Sequence, residues 1–148
     1  MDIVDKKIIN LLIENSELSY QTIADKVFVS AATVHLRVKK LKEKGFIKTP
    51  SYKPNYSKCG YDVIAFIGIF LVKSDMYLDV LKELKKIPEV VSCNYTTGNY
   101  SLLIKIICKD TNHLRDTLHD KIQKIKGINR TETMISLEEN INREQRIE

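Results

Sequence analysis

Ser19–Gly45 reads Ser-Tyr-Gln-Thr-Ile-Ala-Asp-Lys-Val-Phe-Val-Ser-Ala-Ala-Thr-Val-His-Leu-Arg-Val-Lys-Lys-Leu-Lys-Glu-Lys-Gly. Two helices are written in it. Ser19 and Ser30 are natural N-caps, because a serine oxygen accepts from the free amides of a first helical turn. Ile23, Ala24 and Val27 give the first helix an apolar side, and Val34, Val38 and Leu41 recur at i, i+4 and i+7 on the second. Phe28-Val29 interrupts the two patterns, and Gly45 supplies the positive φ that ends a helix. Two short helices with a tight break between them, the second cationic on its outer side, make a helix-turn-helix.

Helical spacing also sorts the side chains of the second helix. With Val34 at the centre of the buried side, about 100° per residue turns Ala32, Leu36, Lys39 and Glu43 outward. Thr33 and Lys40 flank one edge of that face and His35 the other. In such a motif the N-terminal part of the second helix meets base edges, so Ala31, Ala32, Thr33, His35 and Leu36 are the expected readers, and the cap Ser30 is counted with the DNA-binding residues. Lys39, Lys40 and Lys42, with Arg37 nearer the core edge, are expected at phosphates, which position a protein without specifying sequence.

Charge distribution favours a polyanion partner over a merely solvated helix. The chain has 148 residues and a net charge of +5. Residues 1–58 hold 11 Lys+Arg against 6 Asp+Glu, whereas residues 59–148 hold 13 against 13. Between Arg37 and Lys58 stand eight basic residues and one acid, Glu43. A polyanion partner explains that concentration, and solubility alone does not; with the helix-turn-helix reading, the expected polyanion is double-stranded DNA.

The rest of the composition is that of a soluble globular protein. Met1-Asp2 followed by a charged amphipathic run lacks the form of a signal peptide. The longest apolar stretch, the ten residues Val63–Val72, is too short to span a bilayer as a helix, so no membrane is expected. Cys59, Cys93 and Cys108 are odd in number and match no metal or redox spacing. Free thiols in a reducing cytoplasm are the expectation, with no metal and no cofactor.

Outward from the opening stretch, Asp2–Glu14 reads as a helix with Val4, Ile8, Leu11 and Leu12 on one stripe, completing a three-helix headpiece. Phe46-Ile47-Lys48 begins an extended piece. The polar segment after it, with Pro50 and Pro54, reads either as a wing touching the DNA backbone or as a tether. The expected boundaries are a DNA-binding domain at 1–48, a linker at 49–60 and a ligand-binding, oligomerising domain at 61–148. From Cys59 the pattern alternates: strand Val63–Val72, helix Met76–Ile87 stopped by Pro88, and strands Val90–Thr96 and Tyr100–Lys109 around Thr97-Gly98-Asn99. Helix His113–Lys126 and strand Ile128–Leu137 follow, with Thr131, Thr133, Ile135 and Leu137 on one face. The order β-α-β-β-α-β is ferredoxin-like, and the fold class is α+β.

A sheet of this kind carries helices on one face only. Its other face would present Ile and Phe from Val63–Val72 and apolar residues from Tyr100–Lys109 to water, and a second copy is the natural cover. A homodimer through the C-terminal half is therefore expected. Paired heads would then read two half-sites about a helical turn, or a multiple of it, apart.

The chain resembles the Lrp/AsnC family, the leucine-responsive feast/famine regulators. The likeness rests on Asp2-Ile-Val-Asp-Lys-Lys-Ile-Ile, Ser30-Ala-Ala-Thr-Val, Arg37-Val-Lys-Lys-Leu, Gly45-Phe-Ile, Pro88-Glu-Val-Val, Thr97-Gly-Asn-Tyr and Leu102-Leu-Ile-Lys, in that order along nearly the whole chain. It implies a winged-type helix-turn-helix followed by a ligand-binding regulatory domain, with dimers that assemble further into tetramers or octamers. It also implies DNA binding tuned by a small amino acid held near the hairpin loop. The corresponding positions are Thr97, Gly98, Asn99, Tyr100 and Ser101, with hydroxyls of Thr131 and Thr133 expected nearby. Ser101 stands where the family often has an acid, the obvious partner of an ammonium group.

Two rival readings belong to other classes. One is an enzyme similar to the siroheme decarboxylases of this fold, which use histidine and arginine near the hairpin. Here that place reads Cys93-Asn-Tyr-Thr-Thr, and no nucleophile motif or phosphate loop occurs anywhere, so no catalytic residue is assigned. The other is a ligand-sensing or assembly module whose head no longer binds DNA, which the clustered positive charge opposes.

Overall fold

The computed structural model describes all residues, 1–148, and divides the chain into two compact units. The first comprises Met1–Lys53 together with Ile141–Glu148, the second Pro54–Asn140.

The first unit is the three-helix head: α1 (Ile3–Glu14), α2 (Tyr20–Val27) and α3 (Ala31–Glu43). All three begin on side-chain caps. Asp2 and Asp5 form a reciprocal capping box, the Asp5 amide donating to Asp2 Oδ1 at 2.8 Å and the Asp2 amide to Asp5 Oδ2 at 3.0 Å. Ser19 Oγ accepts from the Thr22 amide at 3.0 Å and Ser30 Oγ from the Thr33 amide at 3.1 Å. The apolar stripes meet as their spacing requires: Ile8, Ile23, Ala24, Val27, Val34 and Val38 are buried together, with Val4, Leu11, Leu12 and Ile47 packed around them. After α3, Gly45 takes φ +73°, and the amides of Phe46 and Ile47 both return to the Leu41 carbonyl. Residues 46–56 contain no β-strand, and the segment after α3 is irregular chain.

The last eight residues, which the expected boundary places with the C-terminal domain, pack in the structure against the head. They belong to the head unit. The Asn10 side chain donates to the Ile147 carbonyl at 2.9 Å and accepts from its amide at 2.8 Å, while Arg146 pairs with Glu14 and Lys53 with Glu144. A polar, highly charged tail shows no hydrophobic period, so its place depends on contacts 91 to 137 residues away in sequence.

The second unit is a four-stranded antiparallel sheet of order β2-β3-β1-β4, from β1 (Val63–Leu71), β2 (Val90–Tyr95), β3 (Leu102–Cys108) and β4 (Ile128–Ser136). Helices α4 (Tyr77–Leu84) and α5 (Thr111–Asp116, continued by a π-helical turn to Ile122) cover one face. Ala65, Ile67 and Ile69 of β1 and Leu102, Ile104 and Ile106 of β3 point into that layer and meet Val80, Leu84, Leu114 and Ile122. Both helices are shorter than their apolar periods predict. α4 is preceded by a 3-10 turn at Ser74–Met76 and ends at Leu84, because tight turns close the chain ahead of Pro88. α5 slackens into the π turn, where the Gln123 amide reaches the Leu118 carbonyl at 2.8 Å.

The opposite face bears no helix of this unit. Register places Ile64, Phe66, Gly68 and Phe70 of β1 there, beside Leu103 and Lys105 of β3 and Arg130, Glu132 and Met134 of β4. Most of it is apolar, as the ten-residue hydrophobic run of β1 demands.

Candidate nucleic-acid interface and effector region

Capping and packing fix which side of α3 faces out. Val34, Val38 and Leu41 are buried, so Ala32, His35, Leu36, Lys39, Lys40 and Lys42 are exposed on the other side, with Leu36 57% accessible. Thr33 sits at the edge of this face, its hydroxyl 2.8 Å from that of its cap Ser30. The His35 ring lies 5.6 Å from that of Tyr20, at the start of α2. Lys39 approaches Glu43 only at 3.9 Å with both side chains mostly exposed, a pair too weak in water to withhold the lysine from another anion. Thr33, Leu36, Lys40, Lys44 and Phe46 line an open cleft of about 330 Å³ beside the helix.

Arg37 has partners inside the head. Its Nη1 donates to Asp2 Oδ2 at 2.6 Å and to Asp5 Oδ1 at 2.8 Å, tying α3 to the capping box of α1. Its pKa is raised by the hydrogen bonds to Asp5 and Asp2. That of Asp2 is lowered, first by the Asp5 amide and then by Arg37. The guanidinium thus holds two helices in register. The sequence places Arg37 at the core edge; that both its partners lie more than 30 residues upstream is a tertiary fact.

In the second unit the hairpin loop closes tightly. Thr96 Oγ1 donates to the Tyr100 carbonyl, the Thr96 amide to the Ser101 carbonyl at 3.1 Å, and the Ser101 amide to the Ile69 carbonyl of β1 at 2.9 Å. Tyr100 therefore leaves the ladder, and its ring lies flat over Gly68 on the open face. Any side chain at 68 would overlap that ring. The Tyr100 ring also meets the edge of Phe70 at 5.3 Å, and the Arg130 guanidinium stacks 3.8 Å above Phe70. Arg130 pairs with Glu132 at 3.1 Å, and Glu132 raises the Tyr100 pKa by accepting its hydroxyl hydrogen bond.

The expected effector residues consequently divide. Thr97, Gly98 and Asn99 are exposed at the loop tip, and Tyr100 and Ser101 form its base. Thr131 and Thr133 pair with Ile69 and Ile67 and share their face, the helix side of the sheet, where Gln123 donates to Thr131 Oγ1 at 3.1 Å. They do not converge with Tyr100. Arg130 and Glu132 do, and period-two alternation along β4 was the signal for them.

The histidines serve separate places. His35 meets Tyr20, and His119 contacts Asp120 at 2.9 Å. His113 accepts from the Lys109 amide at Nδ1, so its Nε2 donates to Glu89 at 3.0 Å. Lys121 reaches the same Glu89 oxygen at 2.5 Å. Burial pushes the Glu89 carboxyl up, but Lys121 and His113 outweigh it and hold the pKa at about 2. No group of three or more His, Cys, Asp or Glu side chains is placed to hold a metal ion. No helix is long and apolar enough to cross a membrane.

Residues 1–48 match a winged helix-turn-helix DNA-binding family, and residues 64–145 match the Lrp/AsnC ligand binding domain. The chain belongs to the Lrp/AsnC family. It is 39% identical to the regulatory protein AsnC of Haemophilus influenzae over 144 residues, covering 97% of this chain and 96% of that one. It is 36% identical to the HTH-type transcriptional regulator FL11 of Pyrococcus furiosus, covering 93% and 89%. The solved structure of Escherichia coli AsnC superposes with a TM-score of 0.93 at 37% identity over 99% of both chains. Like these Lrp/AsnC relatives, the protein is a DNA-binding transcriptional regulator.

Proposed function

We propose that this regulator acts as a homodimer whose paired heads read two half-sites on double-stranded DNA in the cytoplasm, and that a small amino acid tunes it. One observation carries the DNA contact: α3 buries its apolar stripe completely and turns Lys39, Lys40 and Lys42 to solvent. These lysines take phosphates, while Ala32, Thr33, His35 and Leu36, behind the Ser30 cap, meet base edges. Arg37 is left out of the phosphate set because two carboxylates hold it. Pairing is supported by the open apolar face of the sheet, with tetramers or octamers built from such dimers.

The effector region is assigned to the loop Thr97–Ser101 with Arg130 and Glu132. A guanidinium matches a carboxylate and a carboxylate matches an ammonium, so an amino-acid zwitterion would exchange partners with the Arg130–Glu132 pair. Glu132 in this way supplies the acid that Ser101 does not.

Mobility shifts over a salt series, using selected operator duplexes, test the DNA contact; affinity should fall steeply as salt rises. Binding that ignores salt, or none at all, would refute it. A thermal-shift panel of the twenty amino acids tests the effector: one of them should stabilise the protein by about 2.7 kcal/mol at a hundredfold excess over its Kd. A flat panel would remove amino acids as the effector class.

A further inference from the structure

Phe28 is the one residue other than glycine with positive φ, at φ 59° and ψ 47°. A side chain in that left-handed region crowds its own carbonyl, and for a bulky residue the conformation is an outlier. The turn itself explains the geometry. Val27 and Val29 both pack into the head core, and the Phe28 and Val29 amides both return to the Ala24 carbonyl to end α2. The residue between two inward valines must therefore point out, and a glycine would do so without strain. Instead the position carries a phenyl ring that is 90% exposed. Neither the turn nor the core gains from it.

We infer that the Phe28 ring is a DNA contact, packing on apolar surface at the edge of the groove that receives α3. Phe28 is two peptide links from Ser30, so their Cα atoms lie within about 7 Å of each other. Ser30 caps the end of α3 proposed to meet base edges, and Lys26 stands in the last turn of α2, just before Phe28. Once the first turn of α3 enters the groove, the ring reaches either a thymine 5-methyl group or a deoxyribose. These are the two apolar surfaces that a duplex offers at that depth. The inference rests on the reading of α3 as the DNA helix and adds a residue that helical spacing omits, because it lies in the turn.

Phe28→Gly is a sharp test, since the variant relieves strain and buries nothing less. It should melt at or above the wild-type temperature and keep its sedimentation behaviour, yet bind a selected operator about tenfold more weakly. Replacing each operator thymidine by deoxyuridine then locates the contact. A loss seen in the wild type and absent from Phe28→Gly assigns the ring to that methyl. Uniform weakening of the variant on all duplexes, without coupling to any thymine, assigns it to the sugar. Equal operator affinity of wild type and variant overturns the inference, as does an effect confined to the assembly state, which would make the ring a contact between copies. A wild type that binds no duplex is a different result, and it removes the DNA reading of α3 along with the ring.

Discussion

The two units of this chain dispose of charge and apolar surface in opposite ways. The head hides its stripes inside a three-helix core and turns lysines outward from α3. The sheet unit is electrically balanced in sequence and leaves one apolar face without a helix. The contrast teaches where each unit is incomplete. A head built this way lacks a polyanion, and a sheet built this way lacks another apolar layer.

The largest effect should come from making the sheet resemble the head. Phe66→Asp sets a charge in the middle of the open face, away from the helix-side core. It should yield single subunits in the ultracentrifuge and weaken operator binding at least a hundredfold, because paired half-sites are lost. A dimer that persists would show that the face serves something else.

Acid should distinguish the units next. Glu89 has a pKa of about 2 against an ordinary 4.5, so the folded sheet unit favours its ionised form. That stability is complete above about pH 4.5 and drains away as pH falls towards 2, a change of about 3 kcal/mol. Melting curves of Glu89→Gln should be lower at neutral pH and fall less steeply across that window than those of the wild type. A wild-type slope in the variant would assign the acid sensitivity to other carboxylates.

Gly68→Ala sharpens the picture of the open face. The added methyl should lift the Tyr100 ring off the sheet, at a cost of about 1–2 kcal/mol, and change the near-UV dichroism of the tyrosines. An unchanged spectrum would mean that the ring does not rest there in solution.

The smallest effects separate two kinds of cation within the head. Lys39→Ala and Lys40→Ala should each weaken binding to all duplexes several-fold and reduce the salt slope by about one. Arg37→Ala should lower the melting temperature by releasing α1 from α3, while leaving the slope nearly intact. A slope change at Arg37 equal to that at Lys39 would return it to the phosphate set.

These differences mark what could be read in the amino-acid order. Caps and periods are local: Ser19, Ser30, the Val34-Val38-Leu41 stripe and the alternation of strand and helix lie within a few residues of the structure they determine. The partners of Arg37, the tail on α1 and the ring of Tyr100 on Gly68 are settled across tens of residues or more, where no period reports them. Thr131 and Thr133 show the same limit at shorter range. Their common face was legible, but which side of the sheet the hairpin tyrosine would choose was not. Phe28 was legible only as a break between helices; its exposure and backbone strain needed the turn in three dimensions.

The uncovered side of the sheet also bears on how the regulator responds to its own abundance. Under the proposed pairing, where subunits are scarce relative to their pairing constant, the concentration of doubled heads grows as the square of the chain concentration. Operator occupancy then rises more sharply than expression does. A modest change in synthesis or turnover would thereby be converted into a threshold, before any small molecule arrives.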